Sequence, residues 1–487
     1  MSIRGLIARR RRIHAEARSR PLGALRAQGL MDLVGLRLAP AATAGILAFL
    51  HSHHVGEAVI VSAAMLAALQ LIERSRFPLT LMPAARVGLG LAAPVLAALT
   101  MLGVTALVGH PADGEEFVAA VVGAWLTLGL GGWMKTRIER TASARVAVVG
   151  SPRFAQDLRD ELRMTGVRAY EVIGWFGPEG PYQRHDDGPR WLGSLDNVRG
   201  AVLVNKVDLV VCAADRESGP GAGPGEGAWE RVAGACLDLP LRMIGANQFY
   251  EDLLGHVPIG TIDQAWYRYV LHPRFQSAEP LSKRALDVAL GVTIGLLTAP
   301  LIAVAALLVK LVDGGPVVYR QIRLGEHGEP FEMLKLRTMT VDSEADGARW
   351  AVADDTRVTR VGRFLRRTHI DELPQTWNIL RGDMTLVGPR PERPQMVSEL
   401  ERQYSHYTRR HLYKPGIAGW AQLRCGYAGS ELGTGWKLCH DLFYIKHRSV
   451  LGDLLIVLET AFETFRDAHR ALRTPGERFI LEERAHS

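Results

Sequence analysis

Apolar residues fall in four long blocks in the first part of this chain, at roughly 33–51, 57–72, 87–109 and 116–134, each near the length that carries a helix across a bilayer. They predict four transmembrane helices. Basic residues orient them: Arg4–Arg26 precede the first block, Arg74, Arg76 and Arg86 lie between the second and third, and Lys135, Arg137 and Arg140 follow the fourth. The other two connections, His51–Glu57 and His110–Glu116, hold histidines and acids without Lys or Arg. By the positive-inside rule, both ends of the bundle are cytoplasmic. The short second block and Arg37 within the first also allow buried helices of a soluble protein.

From residue 144 the pattern changes. Ala144–Gly150 reads as an apolar strand, a helical stretch runs to Leu162, a second strand lies near Tyr170–Phe176, and further strands fall within 207–214 and from Leu241. This βαβ rhythm predicts a doubly wound, Rossmann-like domain over 144–255. Its first turn, Gly150-Ser151-Pro152-Arg153, lacks GxGxxG, so the dinucleotide fingerprint is absent. The Gly/Pro-rich stretch 218–227 reads as a flexible loop.

A fifth apolar run spans Ala285–Val312, with Lys283 and Arg284 before it and Lys310, Arg320 and Arg323 at its far end. Positive charge at both ends, with Pro300 in the middle, predicts a broken helix that enters and leaves the membrane by one face; the competing expectation is a kinked fifth crossing. Beyond Gly314 the chain is polar. Gly325 and Gly328 mark a hairpin, and 331–339 a strand carrying Lys335 and Arg337.

Composition refines this picture. The 487 residues leave room for two or three domains, and the near-zero mean hydropathy averages apolar and polar parts. Net charge is +7, but the basic residues lie beside apolar runs rather than in aromatic-interleaved stripes. That favours anionic lipid and phosphate as partners over nucleic acid. Cys212, Cys236, Cys425 and Cys439 have no zinc or CxxC spacing and read as free thiols. Residues 1–30 form a basic cytosolic arm, since Arg9–Arg12 adjoin neither an apolar core nor a cleavage site.

The candidate chemistry is concentrated in HIDELPQTWNILRGDMTLVGPRPER, residues 369–393. Pro374 suits the first turn of a helix, and Leu373, Trp377 and Leu380 follow as an apolar stripe. Asp371 and Glu372 are thereby expected at the positive end of that helix, where the dipole favours ionised carboxylates. Next, MTLV reads as a short strand, and Pro389 and Pro391 stiffen the turn that carries Arg390, whose planar fork matches a phosphate. An N-cap, a solvated first-turn acid and a rigid surface turn would use the same residues. The dense basic approach, Arg357, Arg360, Arg363, Arg366 and Arg367, beside a membrane segment favours a diphosphate site instead.

Four stretches, KRALDVALG…LTAPLIAVAALLVK, DGGPVVYRQIRLGEHGEPFEMLKLRTM, THIDELPQTWNILRGDMTLVGPRPERP and RRHLYKPGIAGWAQL, together resemble the bacterial sugar transferases, or polyprenyl-phosphate hexose-1-phosphate transferases. The resemblance covers roughly 281–465, and the four spans and Rossmann-like domain ahead of it resemble the large exopolysaccharide-initiating members. It implies an α/β membrane protein: basic arm 1–30, four transmembrane helices 31–135, Rossmann-like domain 144–255, and an α/β catalytic domain 281–470 with a re-entrant helix 285–312 broken at Pro300. It further implies transfer of a hexose 1-phosphate from a UDP-sugar donor to undecaprenyl phosphate with release of UMP, Mg²⁺ as cofactor, and residence in the bacterial cytoplasmic membrane with the catalytic domain on the cytoplasmic face. Asp371 would be nucleophile and metal ligand, Glu372 its catalytic neighbour, and Arg366, Arg390 and Lys335 the phosphate ligands. Membrane lipids are implied partners, and a homo-oligomer is compatible with the pattern.

The chain departs from the family at His369, where Ser is frequent, and at LRCGYAGSELGTGW, where Asn-Gly or Asn-Tyr is common. The sugar is left open. A transporter or export component is disfavoured by the scarcity of ionisable residues in the spans, and a nucleotide-sensing regulator without transferase activity by the presence of all four of Asp371, Glu372, Arg366 and Arg390.

Overall fold

The computed structural model describes scattered positions between 40 and 99, then residues 114–141, 143–177, 188–213, 226–259, 281–341, 343, 355–404, 407–425 and 431–465. The first three expected spans therefore lie largely outside the described residues, as does most of the loop at 218–227. The fourth falls on helix α1, Gly114–Thr141, whose apolar stretch is Val121–Leu130. Among the described residues, one helix is long and apolar enough to cross a membrane, at Leu281–Val312. Two compact units divide the chain: residues 1–75 with 86–249, and 76–85 with 250–487.

In the first unit, strands β1 (Ala144–Val149), β2 (Tyr170–Phe176), β3 (Arg190–Gly193), β4 (Leu209–Cys212) and β5 (Arg242–Gly245) form one parallel sheet in the order β3-β2-β1-β4-β5. Helices α2 (Pro152–Met164), α3 (Val198–Asn205), α4 (Glu226–Ala235) and α5 (Ala246–Leu254) alternate with the strands, and the two-unit division falls within α5. The mixed α/β class with a parallel sheet is as the sequence implies. Nearly continuous apolar strands explain it: Ala147, Val149, Val210 and Phe176 are buried in a core shared with Val198, Val202 and Val232. Strand β3 carries no comparable signal, being four residues long with exposed Arg190 and Trp191. The turn without GxGxxG is a helix start, with Ser151 Oγ accepting the Phe154 N–H at 3.2 Å and Pro152 in the first turn.

The second unit is organised around helix α6, Leu281–Asp313. Helical backbone continues through Pro300, so the expected break does not interrupt the secondary structure; a proline removes one hydrogen bond and kinks a helix without ending it. One face of α6 packs on the globular unit near both ends of the helix. At its start, Lys283 Nζ reaches Asp453 Oδ2 at 2.6 Å, Asp287 accepts from Thr385 Oγ1 at 2.6 Å and the Leu386 N–H at 3.1 Å, and Arg284 donates to the Ile379 and Leu380 carbonyls. At its end, Ala305 and Val309 pack with Leu336 and Leu365. The opposite face exposes Leu296, Leu297, Leu301, Val304, Leu307 and Leu311.

Strands β6 (Val318–Leu324) and β7 (Pro330–Leu336) form the antiparallel hairpin, with Tyr319 opposite Lys335. Helices α7 (Arg360–Arg367) and α8 (Gln375–Arg381) follow, then β8 (Thr385–Val387), α9 (Pro394–Gln403), β9 (Gly416–Ala418), α10 (Trp420–Cys425), α11 (Glu431–His447) and α12 (Val450–Phe465). Strands β8 and β9 pair in parallel. Residues Met82 and Ala85, which precede this unit's main body by some way in sequence, are fully buried, and the Ala85 N–H donates to Glu459 Oε2 at 2.8 Å.

Candidate active site

Helix α7 is capped by Thr359, whose Oγ1 accepts the Gly362 N–H at 2.9 Å. Gly362 is required there, because a Cβ would stand 2.0 Å from the Thr338 carbonyl at the end of the β7 segment. That close approach lets Arg366 Nε donate to Thr338 Oγ1 at 2.8 Å. His369, left-handed at φ 55°, then turns the chain out of α7 into a 3-10 turn, Ile370–Glu372, which carries both carboxylates.

The dyad does not begin the helix, as the sequence suggested it would. Hydrogen bonds of i to i+3 type run from Glu372 through Trp377, and α8 starts only at Gln375. Pro374 is the reason: it has no N–H to offer the Ile370 carbonyl, so the tighter turn persists past it. The stripe also faces another way than expected, since Trp377 is 60% exposed. What seats α8 is Asn378, fully buried, which accepts from the Leu334 N–H at 3.0 Å and donates to the Glu332 carbonyl at 2.7 Å on β7. Sequence reasoning passed over Asn378, because a lone mid-helix asparagine signals nothing about a neighbouring strand.

Both carboxylates are buried. Glu372 Oε1 accepts from Lys335 Nζ at 2.8 Å and Arg390 Nη2 at 2.6 Å. Burial pushes its carboxyl upward, but Arg390 and Lys335 overcome that and hold it well below the ordinary range. Asp371 goes the other way: burial and then the charge of Glu372 raise it, against the pull of Lys335, Arg366 and His369. Local charges, rather than a helix dipole, set the two apart. Asp371 Oδ1 is buried without a hydrogen-bond partner. Burial likewise lowers Lys335, against the opposing pull of Glu372.

Of the expected basic approach, Arg357 is taken up by Asp355, with Nε on Oδ1 at 2.8 Å, and this bond lowers Asp355 to about 2. Arg360, Arg363 and Arg367 are exposed on α7. Arg366 alone among them bonds Thr338 and acts on Asp371. The structure thus gathers Lys335 and Arg390 on Glu372 and sets Arg366 beside Asp371. Pro300 lies outside this cluster, within α6.

No group of three or more His, Cys, Asp or Glu side chains poised to hold a metal occurs among the described residues. Magnesium needs less, since it keeps several waters and takes one or two carboxylates together with substrate phosphates. The unpartnered buried oxygen of Asp371 fits a cation shared with a diphosphate.

Residues 278–467 match the family model described as bacterial sugar transferase. Over 324 residues the chain is 43% identical to the UDP-glucose:undecaprenyl-phosphate glucose-1-phosphate transferase of Escherichia coli K12, an alignment covering 66% of this chain and 67% of that protein. The chain belongs to the bacterial sugar transferase family. The chain is also 39% identical over 234 residues to the UDP-N-acetylgalactosamine-undecaprenyl-phosphate N-acetylgalactosaminephosphotransferase of Aeromonas hydrophila, across 48% of this chain and 55% of the relative. The undecaprenyl-phosphate glucose phosphotransferase of Komagataeibacter xylinus is 32% identical over 332 residues, across 66% and 59% respectively. The chain therefore spans between about half and two thirds of the length of these relatives. Lys335, Arg366, Asp371, Glu372 and Arg390 all lie inside its family-matched region.

Proposed function

We propose that the chain transfers a hexose 1-phosphate from a UDP-sugar to undecaprenyl phosphate, releasing UMP, as the first committed step of exopolysaccharide or capsule synthesis. The observation that carries this reading is the asymmetry of the dyad: Glu372 is bound by two cations, while its neighbour keeps a buried oxygen without a partner. An unencumbered carboxylate beside fixed cations suits attack on phosphorus. The Asp371 carboxylate forms a bond to the sugar-bearing phosphorus, the bridging P–O bond breaks, and its electron pair leaves on UMP. The phosphate oxygen of the lipid acceptor then attacks the same phosphorus and returns the Asp371 carboxylate. Arg390, Lys335 and Arg366 hold the phosphoryl oxygens, and Glu372 keeps Arg390 and Lys335 together. Magnesium, held by Asp371 and the diphosphate, would neutralise charge on the leaving phosphate.

Helix α6 supports a membrane role for the same unit. Its first and last turns are both tied to one globular body, whereas its far face is apolar and exposed. A re-entrant helix that keeps both ends on the cytoplasmic side fits that arrangement better than a crossing. The four amino-terminal spans would add a multi-pass anchor in the bacterial inner membrane. The test is a panel of UDP-glucose, UDP-galactose and UDP-N-acetylgalactosamine, incubated with the full chain in membranes, undecaprenyl phosphate and magnesium. One donor should give UMP and a lipid-linked sugar phosphate, and EDTA should abolish both. UMP release that ignores EDTA would remove magnesium from the scheme, and no product from any donor would overturn the function.

The dyad also predicts a pH signature. Attack requires ionised Asp371, whose carboxyl is raised by burial and by Glu372, so kcat/KM should fall on acidification at a pH above the ordinary carboxylate range. Glu372→Gln removes the neighbouring anion. Its residual activity should therefore show the acid limb moved to lower pH; an unmoved or raised limb would contradict the assignment.

A further inference from the structure

Arg390 can meet a phosphoryl group at a fixed place only if its backbone is held. Residues Gly388–Glu392 connect β8 to α9, and successive carbonyls along this strap are each bonded from outside it. The Pro389 carbonyl accepts from the Gly416 N–H at 2.9 Å, Arg390 from Arg410 Nη2 at 3.1 Å, Pro391 from Arg323 Nη1 at 2.9 Å, and Glu392 from the Leu324 N–H at 3.0 Å. A further bond, Gly388 N–H to the Ala418 carbonyl at 2.9 Å, ties its start to β9.

Arg410 is the least expected of these donors. It lies in a 3-10 turn, Tyr407–Leu412, far from the dyad in sequence, and is 2% exposed. Its guanidinium fork is fully used: Nε and Nη2 meet Asp441 Oδ2 at 3.0 and 2.7 Å, Nη1 meets Glu392 Oε1 at 3.1 Å and the Tyr407 hydroxyl at 2.7 Å, and Nη2 also reaches the Arg390 carbonyl. One side chain, itself anchored on α11, thus grips the strap on both sides of Pro391. The prolines at 389 and 391 fix φ on either side of Arg390, which makes the strap stiff enough to pass a displacement at its carbonyls on to the Arg390 guanidinium.

We infer that Arg410 is a positioning residue for the transfer reaction: by clamping the Arg390 carbonyl and Glu392 against Asp441, it sets where the Arg390 guanidinium meets Glu372 and the phosphoryl group. The inference rests on the function proposed above. Arg410 is too deeply enclosed to touch substrate, and a lysine cannot replace it, because an ammonium lacks the planar fork that spans Asp441, Glu392 and the carbonyl together. A misplacement of about 1 Å at a phosphate ligand is enough to cost on the order of 100-fold in rate.

The test is a double-substitution cycle in the full chain. Arg410→Lys and Asp441→Asn keep the charge or shape of the buried cluster. Each should reduce kcat/KM for UMP release by about ten- to a hundredfold, and each combined with Arg390→Lys should add little to the loss from Arg390→Lys alone. Independent, multiplicative losses would show that Arg410 acts elsewhere and would overturn the inference. A second readout needs no turnover: phenylglyoxal should modify Arg390 several-fold faster in Arg410→Lys and Asp441→Asn than in the parent, followed by peptide mass spectrometry. If the parent proves inactive on every donor, the function fails, while the labelling still reports on the clamp. Unchanged Arg390 labelling in folded variants, or failure of both variants to fold, would reduce Arg410 to a core residue and reject the clamp.

Discussion

Asp371→Asn should lower turnover by about ten-thousandfold or more, the scale seen when a covalent nucleophile is removed, while melting temperature and membrane association stay near those of the parent. The amide keeps the shape of the carboxylate and relieves a charge that burial disfavours, so no loss of folding should accompany the loss of chemistry. Mass spectrometry of the parent, quenched with donor but without lipid acceptor, should find a phosphosugar adduct on the peptide containing Asp371, and the variant should have none. Purified Asp371→Asn releasing UMP at near the parental rate would end the covalent scheme.

The second large effect is on stability. Lys283 and Asp453 are both nearly inaccessible, with side-chain exposures of 8% and 3%, and Lys283 Nζ also donates to the Val387 carbonyl at 3.3 Å. Lys283→Met strands the Asp453 carboxylate beside Tyr444, a change that costs about 3–5 kcal/mol in buried pairs. Thermal unfolding in detergent should show a clear drop in midpoint. The paired change Lys283→Met with Asp453→Leu should recover much of it, because the uncompensated charge rather than the lost attraction dominates the penalty. If the single and double variants melt together, the ion pair is not what roots α6 in its unit.

Much of this was visible in the order of residues. Apolar runs ending in glycine or polar turns located β1, β2 and β4, because parallel strands buried on both faces need little besides hydrophobicity. Asp371, Glu372 and Arg390 stood out because an acidic pair, a proline-flanked arginine and a dense basic approach beside an apolar run are unusual, whereas Lys335 came in only through the family resemblance. What the sequence hid depends on long-range placement. The four-residue edge strand β3 gains its identity from pairing with β2, Asn378 from the strand edge it satisfies, and Arg410 from two acids and a carbonyl that lie on two other segments of the chain. Local pattern also misplaced the helix start, since one proline between the dyad and α8 decides between a 3-10 turn and a helix in a way that the apolar stripe does not reveal.

The bond between Ala85 and Glu459 bears on how the chain comes to be folded at all. Its partners are 374 residues apart, and Glu459 is 2% exposed. During synthesis at about 5–20 residues per second, Ala85 would emerge roughly 20 to 75 seconds before Glu459. The early segment must stay available through that interval while the parallel sheet of the other unit is made and closes around its own local contacts. Closure of the second unit is then a late, high-contact-order event that awaits α12. Released chains truncated just before and just after Val450–Phe465 should differ sharply in protease resistance at Met82 and Ala85, with protection arising only in the longer one.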